Sequence, residues 1–186
     1  MFRTTALIAL FLPILLSPQV QPAKPIHASG IVEAVIGSGD MKLGRFARIL
    51  FIPTASAGNI KSAVGQAQQL LGSKLRSQDD TQQQIGEMFC VPFLLRIRQP
   101  MDRLYETAKA NPGNSAGIMA TDADENGDFH ISGLRDAPYT VVAIGRVGMN
   151  AAFWMVDIPE SALSNPIKMA KPNIGCYDPD SQFKPN

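Results

Sequence analysis

One segment of the sequence has the spacing of a calcium-binding loop. Oxygen-bearing side chains recur at alternate positions and a glycine stands at the sixth: Asp122, Asp124, Asn126, Gly127 and Asp128. EF-hand loops place their Ca²⁺ ligands in this way, but their twelfth position is a bidentate glutamate, and here it is Gly133. A hairpin turn, for which Asp, Asn and Gly are preferred, is the favoured interpretation, and a weak Ca²⁺ site is the alternative.

Histidine and cysteine are too scarce for the common zinc sites. The chain contains only His27, expected in an unstructured N-terminal stretch, and His130, expected at a solvent-facing strand position, besides two cysteines. Neither histidine lies in a His-x-x-Glu or His-Glu-x-x-His pattern. We therefore expect no catalytic residue, no metal centre and no cofactor. An uncharacterised hydrolase, with a site built from Asp, Glu and Arg, is the less favoured alternative.

Three aromatic residues could form a platform for a sugar ring: Trp154, Phe153 and Tyr139. Trp154, however, lies in the middle of an apolar run, where packing inside a sandwich is the more common outcome. Core packing is therefore favoured. A carbohydrate-binding or small-ligand-binding protein with Trp154 on an aromatic surface stays open as the alternative.

The two cysteines, Cys90 and Cys176, lie 86 positions apart in the sequence. In an exported protein they are expected to form a disulfide, which would close a large loop and stabilise the fold by about 4 kcal/mol. Two buried free thiols are the alternative.

Seven short segments have the composition of β-strands, because they are rich in β-branched and aromatic residues and are bounded by turn-forming residues. They cover residues 30–36, 45–52, 117–121, 128–132, 139–144, 151–158 and 166–170. Short strands separated by turns predict an antiparallel β-sandwich. Residues 139–144 are apolar on both faces, which predicts a strand that is covered on both sides.

Residues 58–114 interrupt this pattern with helical periodicity. Pro92 predicts a break or kink and Pro100 the first turn of a new helix, so two or three amphipathic helices are expected. Their apolar stripes are expected to pack on a sheet or on one another, with a partner-binding groove as the alternative. The stripes are Ile60, Val64, Ala67, Leu71 and Leu75, then Ile85, Met88 and Phe89, then Leu94, Ile97, Met101, Leu104 and Tyr105.

The N-terminus has the pattern of an export signal. Arg3 precedes an apolar run over residues 6–16, which is shorter than the ~20 residues of a membrane span. Cleavage is expected near Ala23 or, at the latest, near Ala28; an uncleaved anchor or a buried helix is the alternative. No later stretch reaches about 18 apolar residues, so the mature chain is expected to have no membrane span and to be periplasmic or extracellular.

The charge balance disfavours two classes of partner. Lys and Arg number 17 and Asp and Glu 16, which gives a net charge of +1. Nucleic-acid binding needs a basic face that neutralises phosphates, and attachment to a membrane surface needs a polybasic one. We expect no nucleic acid and instead an unidentified protein or glycan partner. The 45% of hydrophobic residues excludes wholesale disorder.

One motif resembles a known family. Residues 121–134 read Thr-Asp-Ala-Asp-Glu-Asn-Gly-Asp-Phe-His-Ile-Ser-Gly-Leu and residues 138–143 read Pro-Tyr-Thr-Val-Val-Ala. A Thr-Asp turn into a strand, a Gly-Leu turn and a Tyr-x-Val strand together resemble the carboxypeptidase regulatory-like family, whose opening strands residues 30–33 and 47–53 also resemble. The resemblance implies a transthyretin-like β-sandwich of seven strands, also called carbohydrate-binding-like, and the non-catalytic appendage rather than the peptidase.

The expected fold is therefore mainly β with an α insertion. It is an antiparallel transthyretin-like sandwich of about seven strands, with two or three helices inserted between the second and third strands, where the family has a short or modest loop. A separate helical hairpin domain is the alternative for this insertion. The expected function is that of an exported, non-catalytic module with a binding or structural role. The expected division is a signal peptide 1–23 (or as far as 28), a sandwich 29–172 that includes the helical insertion 57–115, and a loose tail 173–186.

Overall fold

In the computed structural model the chain is mainly β, with two sheets and two helices, an arrangement consistent with a β-sandwich. The structure describes residues 25–35, 40–75, 80–112 and 116–178. The predicted signal peptide therefore lies outside the described residues.

Nine strands occur within the described ranges: β1 Ile26–Val35, β2 Met41–Leu43, β3 Arg48–Pro53, β4 Met119–Asp122, β5 Asp128–Leu134, β6 Tyr139–Val147, β7 Asn150–Ile158, β8 Ile167–Met169 and β9 Ile174–Tyr177. Two helices, α1 Gly58–Leu75 and α2 Asp80–Ala110, lie between β3 and β4. Single 3-10 turns follow β3 and β7, at Thr54–Ser56 and Glu160–Ala162.

β1 is the central strand of the first sheet. It pairs antiparallel with β2 and with β5, and parallel with β8. A Cβ atom on Gly30 would collide with the carbonyl oxygen of Ile167, so the close approach of β8 requires glycine at this position. The pairing with β5 places His27 opposite Ser132 and Ser29 opposite His130.

The second sheet has five strands in the order β4-β3-β6-β7-β9, and every neighbouring pair is antiparallel. In β6 every residue except Arg146 is buried. The expectation that residues 139–144 are covered on both faces is confirmed, because this sheet has a hydrophobic layer on each side.

One of these layers fills the space between the two sheets. Trp154, Tyr139, Phe51 and Phe129 are its largest side chains, and none of them is more than 1% exposed. The rings of Phe129 and Tyr139 each meet the ring of Phe51 edge-on, with centroids 6.1 Å apart. Aromatic pairs prefer this geometry because the positive ring edge faces the negative ring face.

The other layer lies between the second sheet and the helices. Leu50, Val142 and Phe153 from the sheet share one core with Val64 and Leu94 from the helices. The helices are therefore packed on the sheet, not held apart from it as a separate hairpin domain, and the molecule has three layers.

α2 continues through Pro92 and Pro100, where the sequence predicted an interruption and a new start. Each proline lacks the N–H that would bond to the carbonyl group four residues earlier, on Met88 and Arg96 respectively. All four of these residues are exposed, so water can reach the carbonyl groups and the helix tolerates the loss. Neither α1 nor α2 combines the length and the apolarity needed to cross a bilayer.

Three expected boundaries are corrected by the structure. Residues 41–43, expected to follow a turn, form β2, so the helices come after the third strand rather than the second. Residues 174–177, expected in the loose tail, form β9, which raises the number of strands to nine among the described residues. The first strand begins at Ile26, ahead of the expected sandwich start at residue 29.

Candidate functional site

A groove of about 310 Å³ lies between α1 and α2. Ile97 and Met101 form its floor and are 8% and 3% exposed. The walls are only partly buried and are mainly apolar. The full lining consists of Asn59, Ile60, Ala63, Gln66, Phe93, Arg96, Ile97, Pro100, Met101 and Leu104.

The spacing of these residues explains why they line one groove. The contributing positions of each helix are separated by three or four residues, or are adjacent, which places them on one stripe of the helix surface. Ala63 is exposed at the edge of the groove, where its small side chain leaves space that a larger residue would occupy. The sequence indicated the stripes, but it did not indicate that they would stay partly uncovered.

Arg96 is the only charged residue among the described residues that line this groove. It is exposed, and within the described part of the chain no carboxylate forms an ion pair with it. Its neighbour Arg98, by contrast, donates from Nε to Asp102 Oδ2 at 2.9 Å. The groove is thus an apolar site with one cation at its rim.

A network of charged groups anchors α2 to the edge of the second sheet. Nη1 of Arg48, on β3, lies 2.9 Å from Oδ1 of Asp102 and 3.4 Å from Oε1 of Glu106. The Arg48 guanidinium also lies 4.8 Å from the centre of the Tyr105 ring, within the range of a cation–π interaction. These charged groups are engaged with one another and so hold the helical layer in place.

Tyr105 extends this network to β4. Its hydroxyl donates to Oδ1 of Asp122 at 2.6 Å, and Lys109 Nζ lies 3.0 Å from Oδ2 of the same carboxylate. Burial raises the pKa of Tyr105 well above its usual range, and the hydrogen bond to Asp122 raises the pKa further. Tyr105 therefore stays protonated and acts as a hydrogen-bond donor.

In the loop singled out in the sequence as a calcium candidate, the carboxylates of Asp122 and Asp124 are engaged in protein contacts. Asp122 contacts Tyr105 and Lys109, away from the other candidates. Oδ1 of Asp124 accepts from the backbone N–H groups of Asn126 at 2.7 Å and Asp128 at 3.0 Å. This is the bonding of a turn residue. Among the described residues no three His, Cys, Asp or Glu side chains are grouped as metal ligands, and a Ca²⁺ site here stays a prediction.

Trp154 cannot serve as a ligand platform, and that hypothesis is wrong. The residue is 1% exposed, and its Nε1 donates to the carbonyl oxygen of Glu33 at 3.0 Å inside the sandwich. Phe153 and Tyr139 are also fully buried. None of the three rings has a free face on which a sugar could stack.

The two histidines lie close together, which the sequence alone did not indicate. Strand pairing makes them diagonal neighbours on the exposed face of the first sheet. Both line a shallow depression with Ser29 and Ser132. His130 is exposed as expected, whereas His27 belongs to β1 rather than to an unstructured stretch.

Cys90 and Cys176 form a disulfide, with Cα atoms 5.6 Å apart. Both are buried, at 1% and 3% exposure. The bond joins α2 to β9 and thus crosses from the helical layer to the second sheet. The expectation of a disulfide is confirmed.

Residues 113–117 read Gly-Asn-Ser-Ala-Gly and match the Gly-x-Ser-x-Gly pattern of a nucleophile elbow. An elbow connects a strand to a following helix. This segment follows α2 and precedes β4, which is the reverse order. The match therefore lacks the strand-to-helix context of an elbow, and residues 113–115 lie outside the described ranges.

A second cavity, of about 570 Å³, lies at one end of the sandwich. Lys42, Arg45 and Arg146 contribute to its lining, and Arg146 pairs with Asp178 at 2.7 Å. The lining also includes Phe46, which has a positive φ of 55° and is 58% exposed. Its lining thus carries three cations, and its apolar residues Met41, Leu43 and Phe46 are not buried, unlike the floor of the groove between the helices.

Comparison with known proteins gives weak matches among solved structures. No family model matches the chain, including any for the carboxypeptidase regulatory-like family, and no curated protein matches it. Similar solved structures include the pilus backbone RrgB from Streptococcus pneumoniae, with 9% identity, a TM-score of 0.31, and 78% of this chain and 40% of that chain covered. The full-length major pilin RrgB from the same organism has 10% identity, a TM-score of 0.30, and coverage of 78% and 30%. The chain thus spans less than half of either pilus protein.

Proposed function

We propose that this protein is an exported, non-catalytic binding module in which a β-sandwich supports a helical layer that binds an apolar ligand. The observation that carries the proposal is the groove between α1 and α2, with its buried floor at Ile97 and Met101 and its partly exposed walls. Ligand sites are commonly concave and mainly apolar, with volumes of ~300–1,000 Å³. The groove lies at the lower end of that range.

Export is supported by the N-terminal pattern and by the disulfide, since disulfides persist mainly in oxidising compartments. The position of β1 favours the earlier of the two expected cleavage points. Cleavage after Ala28 would remove Ile26 and His27, which pair with β5, and would cut beside a residue that is only 4% exposed. Cleavage after Ala23 would leave the strand intact.

The proposed type of sandwich is the carboxypeptidase regulatory-like one. The motif that carries the resemblance covers β4, the turn after it, and β5, with the Tyr-x-Val segment in β6. Gly127, in the turn before β5, has a positive φ of 78°, a conformation that favours glycine. Gly133 also has a positive φ, of 87°, but it lies near the end of β5, where the resemblance implied a turn. In this type of module the sandwich is a scaffold, so function resides in what is added to it, here the helical layer.

Binding of a neutral, environment-sensitive dye such as Nile red tests the groove directly. The wild-type protein is expected to enhance the dye's fluorescence. Ala63→Phe places an aromatic ring into the groove from an exposed position and should reduce dye affinity at least tenfold. Ser62→Phe is the matched control, because Ser62 is exposed on the same helix and does not line the groove. Its dye affinity should equal that of the wild type.

Equal dye binding by the two phenylalanine variants and the wild type would overturn the proposal. The thermal unfolding temperature of both variants shows whether Ala63→Phe acts through the groove or through loss of folding. Export is tested separately by expressing the full chain in a Gram-negative host. The periplasmic protein should begin at Lys24, as measured by intact mass.

A further inference from the structure

We propose that the groove between α1 and α2 binds an aliphatic chain with an anionic head group, in the simplest case a medium-chain carboxylate. This inference rests on the proposed function, since it names the ligand class of the same groove. It rests on two observations about Arg96: the residue lines the groove, and it has no ion-pair partner among the described residues.

Arg96 differs from the other cations of α2 in what it faces. Arg98 pairs with Asp102 on the same helix and Lys109 with Asp122 on β4, so both cations are already engaged with carboxylates. Arg96 instead lines the apolar groove and, in the described part of the chain, has no ion-pair partner. A guanidinium offers several N–H donors in a planar fork that matches a carboxylate or phosphate.

The dimensions of the groove suit a short alkyl chain. On α1 the lining extends from Asn59 to Gln66, a separation of seven positions, which is about 10 Å along a helix. Arg96 and Gln66 are polar and stand among apolar side chains from both helices. An amphiphile can therefore place its tail over Ile97 and Met101 while its head group stays at the solvent-exposed guanidinium.

The two parts of such a ligand contribute differently to affinity. Each methylene group that enters the groove should tighten binding about fourfold, because removing apolar surface from water is favourable. The head group should contribute about fivefold, since an ion pair at an exposed site is screened by water. The tail therefore supplies most of the affinity and Arg96 supplies the selectivity for negative charge.

The test is isothermal titration of the disulfide-bonded mature protein with three ten-carbon ligands that share a nine-carbon alkyl tail and differ only at the first carbon, which stays with the head group: decanoate, decanol and decylammonium. At pH 7.5 and low salt, decanoate should bind about fivefold more tightly than decanol, and decylammonium most weakly. Octanoate should bind about 16-fold more weakly than decanoate, the product of two fourfold steps.

Two arginine variants separate charge recognition from groove binding. Arg96→Gln should weaken decanoate about fivefold and leave decanol unchanged, so the preference for the anion disappears. Arg103→Gln is the control, because Arg103 is an exposed cation on the same helix that does not line the groove. Arg103→Gln should therefore bind decanoate about fivefold more tightly than decanol, as the wild type does.

The outcomes distinguish this inference from the proposed function. If none of the three ligands binds and Nile red does not bind either, the groove is not a ligand site and both fail. If decanol and decanoate bind equally, or if Arg96→Gln keeps the preference for decanoate, the groove binds apolar ligands. The proposed recognition of an anionic head group by Arg96 is then wrong. Loss of the preference in Arg103→Gln would also overturn the role of Arg96.

Discussion

The two faces of the five-stranded sheet are packed in different ways. Against the first sheet, Trp154, Tyr139 and Phe51 are covered almost completely. Against the helices, the sheet residues are covered equally well, but Ile60, Phe93 and Leu104 on the helices stay partly exposed. The sheet is thus shared by a closed core, which stabilises the fold, and a more open one that leaves apolar surface exposed.

The difference follows from the partners on each side. Two sheets present surfaces on which large aromatic side chains interlock, whereas two helices with a small residue such as Ala63 between them leave a groove. The helical layer compensates with charged links to the sheet at Arg48 and Lys61 and with the disulfide. The core between the two sheets is stabilised by packing. The helical layer is stabilised by packing together with ion pairs and the disulfide.

Truncation in the closed core should have the largest effect. Trp154→Ala removes a fully buried ring and the donor to the Glu33 carbonyl, and should lower the free energy of unfolding by about 3–5 kcal/mol. Phe93→Ala, at the partly exposed groove wall, should cost only about 1 kcal/mol but abolish dye binding. Urea unfolding of both variants measures the contrast. Equal losses of stability would contradict the distinction between closed and open cores.

Removal of the disulfide should have the next largest effect. Replacing Cys90 and Cys176 together by serine releases a cross-link between residues 86 apart and should cost about 2–4 kcal/mol. Protease digestion should then cut the helical layer before the sandwich. Digestion of the oxidised wild type under the same conditions is the control, and identical cleavage patterns would argue against a stabilising link.

Alkaline pH should weaken the contact between α2 and β4. The pKa of Tyr105 is raised in the folded state, so the hydroxyl contributes stability below its ordinary value of 10.0, and this contribution is lost as the pH rises above it. Tyr105→Phe should cost about 1 kcal/mol at pH 8. The gap to the wild type should narrow above pH 10. A constant gap from pH 8 to pH 11 would contradict a raised pKa of Tyr105 in the folded state.

Acidic pH should have the smallest effect, at the link between α1 and β7. A hydrogen bond from Lys61, at 2.7 Å, lowers the pKa of Asp157, with a further contribution from Thr140. The stabilisation is therefore present above the ordinary pKa of 3.8 and is lost as the pH falls below that value. Asp157→Asn should cost less than about 1 kcal/mol at pH 7, because the pair is exposed. Its stability should match the wild type at pH 2.5.

Much of the fold was predictable from periodicity. The strand at residues 139–144 and the helical stripes through Val64, Leu71, Leu94 and Met101 are buried as their spacing indicates. Met88 and Phe89, however, were assigned to the same kind of stripe and are 62% and 54% exposed. Spacing identifies a helix face but not what covers it, so the stripes could not reveal where the helical layer stays open.

The candidate site was less predictable, because it depends on contacts between distant positions. The sequence directed attention to Trp154, which is buried, and to the loop at Asp124, whose carboxylate stabilises its own turn. Nothing in the sequence distinguishes Arg96, since exposed arginine residues are common on helix surfaces. Its interest arises only when α1 places apolar residues beside it. In the same way, the closeness of His27 and His130 depends on strand register, which composition does not determine.

The position of the disulfide has a consequence for association between molecules. β9 is a four-residue edge strand that covers residues 150–153 of β7, which lie in an apolar strand of nine residues. An uncovered edge of this kind is a template for intermolecular β-pairing and aggregation. The disulfide at Cys176 holds β9 in place, and Asp178, directly after the strand, pairs with Arg146. Before oxidation β9 lacks its covalent link to α2, so the newly synthesised chain should be at its most aggregation-prone until the disulfide forms.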